Sequence, residues 1–249
     1  QFFMNVIILA GGLGTRLTEY TKTIPKPMVK VAGYPILLHI MNHYIKFGFK
    51  NFYIATGYKG YVIKKFFRKY KKNGELFDYK IFNKKKCRIA LVDTGLKTFT
   101  GGRLKRLENY INDNENFFFT YGDGISNVNI KKLLNYHNKS KKIITVTAVH
   151  PPARFGELKL KKNKVVSFKE KPQTNQGWIN GGFFVAQKKF FKFIKNDEDI
   201  LEKKPLEKAF KSNQLNAFKH RGFWKCMDTI RDKQVIDQIL KSKKIWKYF

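Results

Sequence analysis

Three glycines within four positions follow an apolar run near the start of the chain. The segment Leu9-Ala10-Gly11-Gly12-Leu13-Gly14-Thr15-Arg16-Leu17 continues from the run Asn5–Ala10, which is typical of a buried strand. A strand that ends in glycines lets backbone N–H groups approach an anion closely, and Arg16 adds a permanent cation. It is not a Walker A loop, since no Gly-Lys-Ser/Thr follows, and Leu17 replaces the third glycine of a dinucleotide fingerprint. The pattern therefore indicates another kind of phosphate-binding loop.

A lysine held between two prolines follows this loop. In Pro25-Lys26-Pro27-Met28 the prolines fix the backbone on both sides of Lys26. An ammonium group positioned in this way loses less freedom when it is ordered against an anion. Alone, the motif would indicate a surface loop. Ten residues after the glycine loop, it indicates a second cation for the same phosphates.

Taken together, these residues resemble the N-terminus of the sugar-1-phosphate nucleotidylyltransferases. Other segments follow in that family's order over nearly the whole chain: Phe119–Gly124, Phe168–Pro172, Asn180–Phe183 and Trp224–Thr229. The segments Asp93–Gly95 and Thr100–Arg106 resemble the cytidylyltransferase branch in particular.

The resemblance implies that the phosphate of a sugar 1-phosphate attacks the α-phosphorus of a nucleoside triphosphate and releases pyrophosphate. The expected substrates are CTP and glucose 1-phosphate, and the product CDP-glucose would serve synthesis of a cell-surface polysaccharide such as O-antigen. Because the attacking phosphate is already an anion near neutral pH, the reaction needs alignment and charge neutralisation rather than a general base. A uridylyl-, thymidylyl- or guanylyltransferase stays open, as does a silent relative that only binds nucleotide.

The resemblance also implies roles for single residues. Arg16 and Lys26 would be the catalytic cations. The expected nucleotide-binding residues are Leu9, Gly11, Gly12, Gly14, Thr15, Thr100, Arg103 and Gly122. The loop from Thr100 to Arg106, which contains two of these residues, would read the base. The expected sugar-phosphate-binding residues are Glu170, Lys171, Asn180 and Gly181.

Two carboxylates are the expected metal ligands. Asp123 lies between two glycines at the end of an apolar strand, where ligands bind in open α/β sheets. Asp228 stands over a hundred residues later, before Thr229, and alone would indicate a helix cap. Paired by the resemblance, they predict one Mg²⁺ site with carboxylates within ~5 Å, which like-charge repulsion would splay when no metal is bound. Glu19, Asp93 and Asp113 are weaker candidates.

Composition gives further expectations about partners. The net charge of +33 suggests a polyanionic partner such as nucleic acid or a membrane surface. The basic residues are mostly lysine and scattered, however, and Asn, Ile and Phe are abundant as well, which a base bias of the genome explains better than nucleic-acid binding does. No apolar run approaches the ~18 residues of a membrane span, no signal peptide is evident, and the two cysteines lack metal spacing. We expect a cytoplasmic homo-oligomer with no nucleic-acid or membrane partner.

The elements that must position these residues alternate between strand and helix. Strands are predicted at 5–10, 51–56, 77–82, 88–92, 115–121, 143–148, 155–160, 165–170, 181–186 and 215–218, and helices at 35–47, 61–70, 102–110, 130–137, 204–211 and 229–240. This order predicts an α/β fold with a Rossmann-like, doubly wound mixed sheet and an α+β C-terminal extension. Residues 1–249 would form one domain, with about 4–150 binding nucleotide and about 151–249 binding sugar. The five histidines should be packing or surface groups.

Overall fold

The computed structural model of the chain describes residues 4–242, apart from 71, 83, 114, 152–156, 162 and 170–176. The strands are β1 (Asn5–Leu9), β2 (Lys30–Val31), β3 (Tyr34–Pro35), β4 (Asn51–Thr56), β5 (Phe77–Ile81), β6 (Lys85–Asp93), β7 (Asn116–Tyr121), β8 (Gly124–Ser126), β9 (Ile144–Val149), β10 (Glu157–Lys161), β11 (Lys164–Lys169), β12 (Ile179–Gln187), β13 (Leu215–His220) and β14 (Trp224–Cys226). The α-helices are α1 (Thr18–Thr21), α2 (Ile36–Lys46), α3 (Gly60–Phe66), α4 (Thr100–Lys105), α5 (Ile130–Ser140), α6 (Lys204–Lys211) and α7 (Ile230–Lys241). Short 3-10 helices cover Thr15–Leu17, Lys26–Met28, Glu108–Tyr110 and Lys188–Phe193.

Eight strands form the central sheet, in the order β13-β9-β12-β7-β1-β4-β6-β5. Strand β1 is parallel to β4 and β7, β4 is parallel to β6, and β9 is parallel to β13. Strand β12 runs antiparallel to β7 and β9, and β5 runs antiparallel to β6. The sheet is therefore mixed, and the predicted α/β, Rossmann-like fold is confirmed. Three two-stranded ribbons lie outside this sheet: β2 with β3, β10 with β11, and β8 with β14.

Both faces of the sheet are covered by helices. Alternate residues of β1 point to opposite faces, as the period of a strand requires. Val6 and Ile8 pack into a core with α2, α3, α5 and α7, whereas Ile7 and Leu9 pack into a second core with α4 and α6. Every residue of β1 is buried, which explains its uninterrupted apolar run: a strand covered on both sides has no solvent face.

Most predicted elements are found, and the differences have local causes. The helix predicted over 61–70 ends at Phe66, and the helix predicted over 102–110 is divided into α4 and a 3-10 turn. The short strands β2, β3, β8 and β14 were not predicted, because two or three residues are too few to show a period. The strands predicted at 155–160 and 165–170 correspond to β10 and β11. Residues 155, 156 and 170 of these predictions lie outside the described residues.

Cys87 and Cys226 are both free thiols. Among the described residues, the helices are all too short or too polar to cross a bilayer.

Two histidines in the core make stability depend on pH. His43 and His137 are only 4% and 1% exposed, and burial lowers the pKa of each from 6.5 to about 4. In the unfolded chain they take up protons near pH 6.5, so the unfolded state binds more protons in acid. Their stabilisation is complete above about pH 6.5 and is lost as the pH falls towards 4, by up to about 3 kcal/mol for each histidine.

Urea unfolding at pH 7.5 and pH 5 checks this expectation. The free energy of unfolding should fall at pH 5, and His137→Asn should lose less stability over that interval than the parent protein. An equal loss in both proteins would show that His137 is not responsible for its share of the effect.

Candidate active site

The glycine loop and Asp123 meet at the carboxyl ends of two neighbouring strands. Strand β1 pairs with β7 in parallel, so that Leu9 lies opposite Tyr121. Gly122 donates its N–H to the Leu9 carbonyl at 3.0 Å. A Cβ on Gly122 would lie 2.8 Å from Pro27 Cγ and 3.0 Å from the Leu9 carbonyl oxygen, so glycine permits this close approach of β7 to β1 and Pro27. The chain thus brings Lys26, which precedes Pro27, to the edge of the sheet where Asp123 lies.

The loop between β1 and the first 3-10 helix leaves backbone donors free. Gly14 has a φ of 66°, and a Cβ there would lie 2.8 Å from Thr21 Cγ2. The Thr21 hydroxyl donates to the Gly14 carbonyl at 3.1 Å and holds the turn closed. The amides of Gly12, Leu13 and Gly14 donate to none of the described residues. Unpaired N–H groups in a glycine loop are what an anionic phosphate requires.

Lys26 lies between two carboxylates. Its Nζ is 2.7 Å from Asp123 Oδ2 and 2.7 Å from Asp228 Oδ1, and Arg16 Nη1 is 2.8 Å from Asp228 Oδ2. The Lys26 side chain is 10% exposed, whereas that of Arg16 is 71% exposed. Burial opposes the charge on Lys26, but the two carboxylates outweigh it and raise the pKa of the lysine above its ordinary value. The ammonium group therefore stays charged at neutral pH.

Backbone pairing brings the two aspartates together across the sequence. Strands β8 and β14 are antiparallel, with Gly124 opposite Cys226, and the Met227 amide donates to the Asp123 carbonyl at 2.9 Å. Asp228 is not the cap of α7. Thr229 is the N-cap and forms a capping box with Asp232, which leaves the Asp228 side chain directed at Lys26.

The donor set at this point fits a hard divalent cation. Ligand atoms of Asp123, Cys226 and Asp228 all lie within 4.8 Å of one another. Carboxylate oxygens are preferred by Mg²⁺, whereas a thiol is not. Burial and the neighbouring Asp123 raise the pKa of the Cys226 thiol, which therefore stays neutral. The ligand atoms of Asp123 and Asp228 lie within the ~5 Å expected for a shared ion, and the Lys26 ammonium between the two carboxylates balances their charge.

A cavity of about 880 Å³ opens in front of the loop and the cluster. It is lined by all the predicted nucleotide-binding residues and both predicted cations: Leu9, Gly11, Gly12, Gly14, Thr15, Arg16, Lys26, Thr100, Arg103 and Gly122. It is also lined by residues that sequence reasoning missed, which are Leu13, Leu96, Lys97, Thr98, Phe99, Tyr121 and Glu198. Leu13 and Tyr121 belong to segments that the sequence had singled out, whereas residues 96–99 and Glu198 come from two other loops with no recognised motif, so only the fold identifies them.

Arg103 is buried beneath this cavity and holds the backbone. Its Nη1 donates to the Gly95 carbonyl and the Thr94 hydroxyl, both at 2.7 Å, and its Nη2 donates to the Leu96 carbonyl at 3.3 Å. A Cβ on Gly11 would lie 2.2 Å from Nη1, so the guanidinium also packs directly against the glycine loop. Most of its donors are thus committed to the protein. The prediction that Arg103 faces the base stays a prediction.

The glycines of the motif Thr100–Arg106 serve packing. A Cβ on Gly101 would lie 2.6 Å from the Asp199 carbonyl oxygen, and one on Gly102 would lie 2.4 Å from Asp197 Cα. Helix α4 is therefore pressed against the segment that contains these aspartates. The Thr100 hydroxyl, at the start of the helix, donates to Glu202 at 2.9 Å.

The predicted sugar-side residues that can be located lie beside Tyr121. Asn180 Nδ2 donates to the Tyr121 hydroxyl at 3.4 Å, and Trp224 Nε1 donates to the Gly181 carbonyl at 2.7 Å. Burial and the Glu202 carboxylate raise the pKa of Tyr121, whose hydroxyl donates a hydrogen bond to Glu202. Glu170 and Lys171 lie outside the described residues. Tyr121 and Glu202 were missed as site residues, because nothing in the sequence links them.

Residues 5–232 match the family model described as nucleotidyl transferase. Proteins named glucose-1-phosphate cytidylyltransferase from Salmonella typhimurium and Salmonella typhi are each 44% identical over 254 residues, covering 98% of this chain and 99% of their own length. Among solved structures, HddC from Yersinia pseudotuberculosis superposes with a TM-score of 0.71 at 24% identity, covering 96% of this chain and 100% of its own. At that identity the structural likeness concerns the fold.

Proposed function

The chain belongs to the nucleotidyl transferase family, and on that basis we propose that it transfers a cytidylyl group from CTP to glucose 1-phosphate, giving CDP-glucose and pyrophosphate. The identity of 44% along nearly the whole of two cytidylyltransferases carries this proposal. The arrangement of charges agrees with it, because Arg16, Lys26 and Asp123 line one cavity together with the glycine loop, and Asp228 pairs with both cations.

The proposed mechanism is neutralisation and alignment of two anions. The free amides of Gly12, Leu13 and Gly14 would hold the β- and γ-phosphates, and Arg16 and Lys26 would balance the charge that develops on the departing pyrophosphate. The phosphate of the sugar attacks the α-phosphorus in line as the bond to the bridging oxygen of pyrophosphate breaks. No side chain needs to remove a proton from this nucleophile.

Asp123 and Asp228 are the residues that would hold Mg²⁺, which supplies positive charge at the α-phosphate when it is bound. Both are carboxylates, and both reach the Lys26 ammonium. Arg16 is the partner of Asp228 that solvent reaches most easily, so its exposed side chain is free to turn towards the nucleotide.

For the sugar, we propose a subsite beside Tyr121. Asn180 and Gly181 would contact hexose hydroxyl groups, and Glu170 and Lys171 would bind the hexose and its phosphate. Two hydrogen bonds support this subsite: Asn180 donates to the Tyr121 hydroxyl, and Trp224 donates to the Gly181 carbonyl and fixes its position. Assembly as a homo-oligomer, a cytoplasmic location and a role in polysaccharide synthesis belong to the same proposal.

We expect CTP to be preferred over UTP and dTTP. Cytosine presents an amino donor and a ring-nitrogen acceptor where uracil presents an oxygen and an N–H. The backbone of 96–98 and the start of α4 line the cavity at fixed positions, because Arg103 and Asp197 hold them. A mismatched base would leave a buried polar group unpaired, at a cost of about 1–3 kcal/mol, or roughly ten- to a hundredfold in kcat/KM.

A pyrophosphate-release assay tests both activity and base choice. Each nucleoside triphosphate is offered with a panel of sugar 1-phosphates and Mg²⁺. CTP with glucose 1-phosphate should give the highest kcat/KM. Equal or better turnover with UTP, dTTP or GTP would replace the proposed base. Absence of turnover with every pair, together with measurable CTP binding, would indicate a silent relative.

A further inference from the structure

Lys26 occupies the position that a shared metal would need. Its Nζ lies 2.7 Å from one oxygen of Asp123 and 2.7 Å from one oxygen of Asp228. An ion that both oxygens coordinate at about 2.0–2.1 Å must lie between them. The buried ammonium already lies there, so lysine and ion cannot be bound to the same two oxygens together.

The backbone around Lys26 keeps it in this place. Pro25 and Pro27 flank it, and it begins a 3-10 helix in which Met28 donates to the Pro25 carbonyl at 2.8 Å. The lysine Cα therefore cannot move far, and only the side chain can withdraw. Its stem has four rotatable bonds, which is enough to turn the ammonium from the carboxylates towards the cavity that Lys26 also lines.

The charges of the cluster balance in either of two ways. Without a metal, the two negative charges of Asp123 and Asp228 are matched by Lys26 and Arg16, which engage three of the four carboxylate oxygens. One divalent ion would match the same two charges by itself. Its arrival would release both cations, and the nearest anion for them would be the triphosphate in the cavity.

We propose that Lys26 is an exchangeable counter-ion that holds the carboxylate pair closed to divalent metal until nucleotide enters, and then transfers to the phosphates. This rests on the proposed function. It makes metal and nucleotide binding mutually dependent, because each removes what opposes the other: the metal frees the ammonium for the phosphates, and the phosphates draw the ammonium from the metal site. The nucleotide-free protein should therefore bind divalent metal weakly.

Binding of Mn²⁺ to nucleotide-free protein, followed by the electron paramagnetic resonance signal of the free ion, tests the exchange. Lys26→Met should bind one Mn²⁺ at least about tenfold more tightly than the parent protein, within the usual range of such couplings. Lys26→Arg, which keeps the charge, should bind as weakly as the parent. Lys64→Met is the matched control, because Lys64 pairs with a different carboxylate, Asp93, at a distance of 3.3 Å.

Two further measurements make the result specific. Asp123→Asn combined with Lys26→Met should lose the gained affinity, which locates the ion at this pair. A non-hydrolysable CTP analogue should raise the Mn²⁺ affinity of the parent protein at least about tenfold and that of Lys26→Met by less. If Lys26→Met fails to fold, Lys26→Gln keeps the hydrogen bond without the charge and should show the same gain.

Equal Mn²⁺ affinity in the parent and the neutral variants would overturn the exchange, as would a gain that survives loss of Asp123. These outcomes are independent of the proposed activity, because no turnover is measured. An active parent protein with unchanged Mn²⁺ affinity in the variants would retain the function and reject the exchange. If the parent protein is inactive with CTP but the variants show the predicted gain in Mn²⁺ affinity, the exchange is retained and the proposed function is rejected.

Discussion

Asp123→Asn should lower kcat about a thousandfold while the protein stays folded. The substitution keeps the shape of the side chain and removes the charge that would hold Mg²⁺, and metal coordination contributes several kcal/mol to such reactions. Stability should change little, because the backbone carbonyl of Asp123, rather than its side chain, accepts the hydrogen bond from Met227. Lys26 also keeps its second partner, Asp228. Pyrophosphate release and thermal melting measure the two quantities separately.

The matched control for this variant is Asp113→Asn. Asp113 is an exposed carboxylate paired with Lys188 at 2.9 Å, and it was a weaker metal candidate from sequence. It should retain at least half of the parent kcat. If Asp123→Asn also retained that much, Asp123 would not be a metal ligand of the reaction.

Lys26→Ala should lower kcat about a hundredfold, which corresponds to roughly 3 kcal/mol of barrier. Lys26 is the only cation in the described part of the chain that contacts both Asp123 and Asp228, and it is nearly buried. A preorganised charge in such a place stabilises the developing pyrophosphate more strongly than an exposed one. The variant should also melt at a lower temperature at low metal concentration, because the two carboxylates lose their counter-ion.

Arg16→Ala separates the two effects. Its ion pair is exposed, so thermal stability should not change measurably, whereas kcat should still fall. Steady-state kinetics and melting curves for both variants, with Lys64→Ala as a surface control, decide the matter. Near-normal kcat in Lys26→Ala would show that this lysine is only part of the loop.

The sequence predicted the parts of the molecule that local chemistry determines. The sequence pattern predicted the buried strand β1, the glycine loop and the alternation of strands and helices. Burial and backbone conformation restrict which residue types can occupy these positions. Asp123 could be placed at the edge of the sheet for the same reason. That its partner is Asp228 came only from resemblance, since three residue pairs between β8 and β14 leave no pattern in the sequence.

What could not be predicted depends on contacts between distant segments. The Arg103 guanidinium supports the carbonyls of Gly95 and Leu96 and packs against Gly11, contacts that no local pattern predicts. Glu202 joins Thr100 to Tyr121 by hydrogen bonds over some eighty to a hundred positions of the chain. The bridging position of Lys26 was also missed, because the effect of one charge on two others depends on where the folded chain places all three.

The short ribbon of β8 and β14, which precedes Asp228, is expected to be the least stable element of the site. Strands β8 and β14 share only three residue pairs, stand outside the central sheet, and leave every residue of β14 partly exposed. So short a ribbon can open locally at far smaller free-energy cost than the eight-stranded sheet. Each opening would carry Asp228 away from Asp123 and dismantle the charged cluster. Inactivation by mild denaturant should therefore precede unfolding, and the amides of 224–227 should exchange their hydrogens with solvent long before those of β1.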